Sequence, residues 1–373
     1  MRLGAVTETP LEWLALRLGL VPTPLVDTQL AFVLARTVMA AVRLGVFEAV
    51  AAGSVRAAEV ARHCGTAAAP TERLLHALVG VGYLRPGREP GTVALSPQAR
   101  RWLWRGSPSE VADKVLFAYD EWRFVGGYEA YLRSGRSVDL HRALGAGGEV
   151  PRDVREAVAG AVRDEPEGSG WVRYQRGLHA VARVSSAEVG RRTPVPRGAS
   201  RMVDLGGAHG AFAAAILRRH PRLRAEVLDL EEAVRASAPL LAAEGLGDRL
   251  RHRVADVLHD DLGRDLDVVF GSQFHHHLDE AANVALARRV ADALRPGGVY
   301  VIQDLARPGD PREARRARLG ALLDLYFGAT SGAGTYTLAQ MRGWQRDAGL
   351  RPLPVAWLRT LPGLVQQVAV RAG

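Results

Sequence analysis

Apolar positions along the chain change their period twice. Over residues 9–50 they recur at helical spacing, as at Leu11, Leu14 and Leu18, then at Phe32, Val33, Val38 and Val42. Residues 57–63 and 70–83 repeat that spacing and predict two short helices. A glycine- and proline-rich turn follows over 85–92, and Val93-Ala-Leu95 reads as a strand leading to Ser96-Pro97. Helix, turn, helix and wing in this order predict a winged helix. Residues 105–190 return to helical spacing with aromatics at Phe117, Tyr119, Trp122, Phe124, Tyr128, Tyr131, Trp171 and Tyr174, most of them core positions. Two prolines in the 192–198 stretch, Pro194 and Pro196, stop a helix and mark a boundary. From residue 200 the period alternates between strand and helix. Candidate strands span 201–205, 224–228, 250–254, 266–271 and 298–303, with a late apolar segment at 364–370. That alternation predicts an α/β domain built on a parallel doubly wound sheet, with ligands at the carboxyl ends of the strands.

At 373 residues the chain has room for two domains. The pattern divides it into a winged-helix-like region over 1–105, a helical linker over 106–196 contributing to a ligand pocket, and the α/β domain over 197–373. A net charge of +9 raises the question of nucleic acid. The charge is spread along the chain, however, and only one of the 49 basic residues, Lys114, is lysine. The second helix of the winged unit offers a groove only Arg73 and His76, fewer polar contacts than a recognition helix presents. Neither nucleic acid nor membrane is therefore expected as a partner. Glu8 and Glu12 interrupt any signal-like apolar core, and no uncharged run approaches a membrane span. The lone cysteine, Cys64, excludes an internal disulfide and a multi-cysteine metal site, so a reduced, cytoplasmic setting is expected.

The candidate chemistry begins at Met202-Val-Asp204-Leu-Gly206-Gly207-Ala208-His-Gly210, where an apolar strand ends in an acidic residue and a glycine cluster opens a helix. A dinucleotide fingerprint needs G-x-G-x-x-G, but Ala208 and Ala211 occupy its second and third glycine positions. The residues fit D-x-G-x-G-x-G instead, with Ala208 at the middle glycine, and this resembles motif I of class I methyltransferases, which bind S-adenosylmethionine. Asp229 ends the second strand about 20 residues beyond the turn, where a carboxylate accepts from both ribose hydroxyls, with Leu230 beside it. Asp256 ends the third strand and is a candidate for the adenine amino group, with Val257 or Leu258 against the ring; the alternative is a helix-capping aspartate. Ser272 closes the fourth strand at the same edge.

That strand runs into Phe274-His275-His276-His277-Leu-Asp279-Glu280. Adjacent histidines point in different directions, and no further His or Cys lies at ligand spacing, so no metal is expected. An imidazole titrating near neutrality suits a general base for a phenol or hydroxyl. A polar structural cluster at the strand mouth is the alternative. Trp122, Phe124, Tyr174 and His276 are the candidates for an aromatic acceptor pocket.

These pieces occur in order with Asp248-Arg249, Ala293-Leu-Arg-Pro-Gly-Gly298, Val301-Ile-Gln-Asp304 and Asp347-Ala-Gly-Leu350. Together they resemble the small-molecule O-methyltransferases of plant phenolic and bacterial antibiotic pathways over nearly the whole chain. The resemblance implies a Rossmann-like class I methyltransferase domain behind a mainly α-helical winged-helix dimerisation domain that forms a homodimer through swapped helices. It implies S-adenosylmethionine as cofactor and methyl transfer to a hydroxyl of an aromatic or polyketide-like acceptor in secondary metabolism. It aligns His275 with the family's catalytic histidine and makes Asp304 the acid that orients it. Three departures stand out. His276 and His277 replace the family's Asp-Trp, Asp304 is shorter than the usual glutamate, and no carboxylate falls in 334–337, where a second family glutamate lies. Relatives on this scaffold also perform decarboxylation, hydroxylation or pericyclic chemistry without methyl transfer, and a winged-helix DNA-binding regulator is the reading from another class.

Overall fold

The computed structural model describes residue 7 and residues 9–144, 169–314 and 317–373. Part of the expected linker, 145–168, therefore lies outside the described residues. The chain divides into two compact units, Met1–Tyr119 and Asp120–Gly373. One boundary thus falls inside the expected 106–196 linker rather than one at each end of it. The reason is packing: the long helix that ends the stretch lies on the helices of the α/β domain.

In the first unit, helix α1 (Pro10–Arg17) is closed by a capping box between Thr9 and Glu12. A longer helix, α2 (Thr23–Arg43), follows. Its apolar residues are split. Val38, Met39, Ala41 and Val42 are buried, whereas Leu25, Leu30, Phe32 and Val33 are exposed, as are Leu11, Trp13 and Leu14 of α1. The buried half joins α3 (Val46–Ala51), α4 (Ala57–Cys64) and α5 (Ala68–Gly80) around Phe47 and Leu78. Strand β1 (Leu84–Pro86) pairs antiparallel with β2 (Val93–Leu95), so the expected turn begins two residues later than its composition suggested. The winged arrangement ends in α6 (Pro97–Trp102), capped by Ser96. Helix α7 (Ala112–Val125) carries the chain into the second unit.

The second unit opens with α8 (Tyr128–Ser134) and α9 (Leu140–Leu144) and resumes with α10 (Ser169–Arg192). Then β3 (Arg201–Leu205), α11 (Ala211–Arg219), β4 (Arg224–Asp229), α12 (Glu231–Ala243), β5 (Leu250–Val254) and β6 (Leu266–Ser272) alternate. They are followed by α13 (Glu280–Ala293), β7 (Leu294–Leu305), α14 (Arg318–Ser331) and α15 (Leu338–Asp347). Three more strands, β8 (Leu350–Pro352), β9 (Ala356–Trp357) and β10 (Leu364–Arg371), complete the sheet among the described residues. Its order is β5-β4-β3-β6-β7-β10-β8, with β9 also on β10.

Five strands are parallel, as the alternation predicts. The remainder corrects an all-parallel sheet, because β10 runs antiparallel to β7, β8 and β9. The 358–363 connection before β10 is long enough to reverse direction but short of the dozen or so residues a crossover needs. Every residue of β6 is buried, since the sheet is covered on both faces. One face packs Leu286, Val290, Met341 and Trp344 of α13 and α15; the other packs Val189, Phe212 and Ile216 of α10 and α11. Strand order reverses at β3, so the crevice at the carboxyl ends of β3 and β6 is where such a sheet takes its ligand.

Candidate active site

The turn after β3 is built from backbone that side chains tolerate poorly. Gly206 and Gly210 lie at φ +59 and +68, and Ala208 between them at +36. At Gly206 a Cβ would strike the Phe274 ring at 2.3 Å, and at Gly207 it would meet the Asp204 carboxylate at 2.4 Å. The two glycines therefore let Phe274 lie on the turn and Asp204 tuck beneath it. Asp229 closes β4 and accepts from the Ala208 N–H (3.0 Å) and the Leu230 N–H (2.9 Å), one on each oxygen. Burial pushes Asp229 up to about 6, opposed by those two hydrogen bonds. Asp204 is raised well above the usual range by burial and then by Asp229, and its Oδ1 is buried with no partner.

Beyond β6 the backbone turns left-handed at Gln273 (φ +51) and enters a 3-10 turn over His275–His277. This turn sends three identical side chains to three environments. His275 enters the core, where its Nε2 meets the Tyr300 hydroxyl at 2.7 Å, and burial lowers it to about 4. His276 places Nδ1 2.7 Å from Asp304 Oδ1 while its backbone N–H reaches Asp304 Oδ2 at 3.3 Å. Its ring stacks on Phe327 at 3.7 Å between centroids. His277 bonds Ser331 through Nδ1 at 2.8 Å and is held well below its ordinary value by burial, with His276 and His141 adding to the effect.

Aromatic rings gather beside this turn. His141 stacks on Trp171, and Tyr174 meets Trp171 edge-on at 5.9 Å. His141 lies 4.8 Å from His277, and Tyr326 packs edge-on against Phe327 while donating to Glu121 at 3.2 Å. The Tyr174 hydroxyl is raised by burial and by the charges of Asp229 and Glu121, which ties this ring cluster electrostatically to the glycine turn.

A strand-end acid over a left-handed glycine turn, a second acid at the next strand end and a carboxylate-bound imidazole form the arrangement. The family model for the O-methyltransferase domain matches residues 160–349, and that for the O-methyltransferase dimerisation domain matches 26–105. The chain belongs to the O-methyltransferase family. This O-methyltransferase is 31% identical over 296 residues to acetylserotonin O-methyltransferase of Mus musculus, covering 76% of this chain and 73% of that one. It is 28% identical over 332 residues to 3-hydroxy-5-methyl-1-naphthoate 3-O-methyltransferase of Streptomyces sahachiroi, covering 88% and 89%. The crystal structure of human N-acetylserotonin methyltransferase in complex with SAM shares the fold, with a TM-score of 0.78 at 19% identity over 99% of this chain and 100% of that one. The enzyme is thus a methyltransferase whose cofactor is S-adenosylmethionine.

The residues of this O-methyltransferase fit that cofactor. Each Asp229 oxygen takes one backbone N–H and keeps a lone pair for a ribose hydroxyl. The unpartnered Asp204 oxygen awaits a donor or a cation. Leu230 is exposed beside Asp229. Asp304, Ser272, Val257, Asp256, Phe124 and Trp122 occupy different surroundings. Asp304 pairs with His276, not with His275 as the resemblance implied, because the turn at Gln273 directs His275 inward. Ser272 accepts from Gln303 at 2.7 Å and keeps its own O–H to donate, and Val257 is buried in the core. Asp256 accepts from the Leu258 N–H and binds His259 at 2.7 Å, and that histidine lowers it. Phe124 is buried, whereas Trp122 is 39% exposed. Sequence reasoning does not single out His141, Trp171, Tyr326 and Phe327 for the site. Nothing in the spacing of these distant residues announces that they meet.

Proposed function

We propose that His276 is the general base of methyl transfer to a hydroxyl of an aromatic or polyketide-like acceptor, and that Asp304 holds it in place. The observation that carries this reading is the 2.7 Å bond between His276 Nδ1 and Asp304 Oδ1. With Nδ1–H donated to the carboxylate, Nε2 is left as the basic nitrogen. S-adenosylmethionine, when bound, supplies an electrophilic methyl group on its sulfonium. As the acceptor oxygen takes that methyl, its proton passes to His276 Nε2, and Asp304 stabilises the imidazolium so formed. Phe327 fixes the ring plane. Asp304 also accepts from the Leu305 N–H at 2.8 Å, so its orientation is set without a second carboxylate in 334–337.

Trp171, Tyr174, Phe327 and His141 supply flat surfaces for an aromatic acceptor, and relatives named for a hydroxynaphthoate and for acetylserotonin support that class. Asp204, Gly206, Gly207, Gly210 and Asp229 are proposed to hold the cofactor, with Asp256 at its adenine end. A secondary-metabolic role and a homodimer formed by the N-terminal unit complete the reading.

The test compares two neighbouring histidines. His276→Ala is expected to lower kcat by about 10²–10⁴-fold with S-adenosylhomocysteine affinity unchanged. His275→Ala is expected to cost stability instead, roughly 2–4 kcal/mol, by opening a cavity and stranding the Tyr300 hydroxyl. Loss of turnover in folded His275→Ala, with His276→Ala active, would return the base to position 275. A product one methyl heavier, formed with S-adenosylhomocysteine, separates transfer from non-methylating chemistry on the same scaffold.

A further inference from the structure

The glycine turn contains one residue that is not glycine where the motif has one. Ala208 stands at φ +36, a conformation L side chains adopt at a cost. Two hydrogen bonds grip its peptide groups from opposite sides. Asp229 Oδ2 takes the N–H at 3.0 Å, and the Ala208 carbonyl lies 2.6 Å from His252 Nε2. His252 is the middle residue of β5, in register with Val227 of β4, so it stands on rigid sheet rather than on a loop. A carbonyl only accepts, so this bond requires the proton on Nε2. Ser237 of α12 lies 3.3 Å from the same nitrogen while donating its own proton to the Ala233 carbonyl at 2.6 Å. The serine therefore offers an oxygen to the same N–H and reinforces that tautomer.

We propose that His252 is a positioning residue for the cofactor site: it clamps the Ala208 carbonyl and holds the turn in the left-handed form that alanine, unlike glycine, does not adopt freely. The clamp rests on reading the turn as the S-adenosylmethionine site. It adds that the Gly-to-Ala departure in the motif is compensated by a histidine one strand beyond Asp229. His252 touches neither the acceptor nor the transferred methyl, so the clamp acts on cofactor affinity and leaves the chemical step alone.

The test is a double-mutant cycle on the full chain, read by calorimetric titration with S-adenosylhomocysteine and by steady-state kinetics. His252→Ala is expected to raise the Kd for S-adenosylhomocysteine and the KM for S-adenosylmethionine about tenfold while kcat stays within about twofold. His252→Gln, which keeps a neutral N–H donor, recovers most of the affinity. Placed on an Ala208→Gly background, His252→Ala costs less than about threefold, because glycine needs no clamp. Equal losses on both backgrounds, an unchanged Kd, or a fall in kcat matching the rise in KM would each overturn the proposal. If His252→Ala does not fold, the His252→Gln and Ala208→Gly/His252→Ala chains carry the same comparison. Asp229→Ala separates the two layers of the argument. Unchanged binding in Asp229→Ala would remove the site reading itself, whereas lost binding there with none lost in His252→Ala would remove only the clamp.

Discussion

Asp229 accepts from the Ala208 and Leu230 N–H groups, and in the proposed reading its remaining lone pairs take the ribose hydroxyls of the cofactor. Both require the ionised form, yet burial raises the group to about 6 in the free enzyme. The sign follows directly. Above pH 6 the carboxylate is charged and binding is at full strength, and as pH falls through 6 a proton must leave before the ligand enters. Affinity for S-adenosylhomocysteine is expected to be flat above about pH 7 and to weaken by roughly tenfold per unit below the midpoint, as for one coupled proton. Titration calorimetry across pH 5–8 checks this, and an affinity that stays level down to pH 5 would show that Asp229 does not touch the ligand. At this scale Asp204 and Asp229 were legible in the sequence because each lies at the end of a strand just before a turn. The base was not. Three identical histidines stand in a row, and anchoring on Asp279-Glu280 counts back to His275. Only the left-handed step at Gln273 decides which ring reaches Asp304.

Among the elements, β6 was readable to within a residue because burial on both faces makes it an almost uninterrupted apolar run, whereas β4 and β5, with charged residues facing out, were readable from their place in the alternation of strand and helix. The edge was not, since β8 and β9 span three and two residues and carry no usable period. Strand β7 begins at Leu294, ahead of the expected 298, because pairing with β6 continues across a register shift and so includes Pro296 and two glycines. Helix α10 is tied down by a feature no pattern announces. Its Glu188 accepts from the Arg359 and Thr360 N–H groups, the Thr360 hydroxyl at 2.7 Å and the Arg192 guanidinium at 2.7 Å. Burial raises this acid, but the hydrogen bonds outweigh it and bring the group down to about 2. Because the folded value is depressed, the stabilisation is complete above the ordinary 4.5 and is lost as pH falls from there toward 2. Glu188→Gln is expected to cost on the order of 2–3 kcal/mol at neutral pH and to flatten the acid limb of the stability profile. Chemical denaturation at pH 7 and pH 3 reads both effects, and equal stability of the two chains at pH 7 would dismiss the tie.

At the level of the whole molecule, the N-terminal unit leaves apolar surface that one chain does not cover. No residue of α1 is buried, and Leu11 and Leu18 are 76% and 63% exposed, while α2 bares Leu25, Leu30, Phe32 and Val33. Large apolar side chains exposed in this number mark an interaction site. Two occupants are physically open, since Thr23–Arg43 is also apolar and long enough to cross a bilayer by length and composition. The same stretch falls largely within the matched dimerisation domain, residues 26–105, which favours a second copy of the chain. The buried half of α2 also packs on α3 and α5 around Phe47, so the helix is anchored in a folded unit along one side. Light scattering is therefore expected to give twice the 40.2 kDa chain mass. Leu14→Asp with Phe32→Asp, both at exposed positions, should return the mass of one chain while the C-terminal unit still binds S-adenosylhomocysteine. An unaltered chain that is monomeric at micromolar concentration and floats with phospholipid vesicles would assign the bare face to a membrane instead.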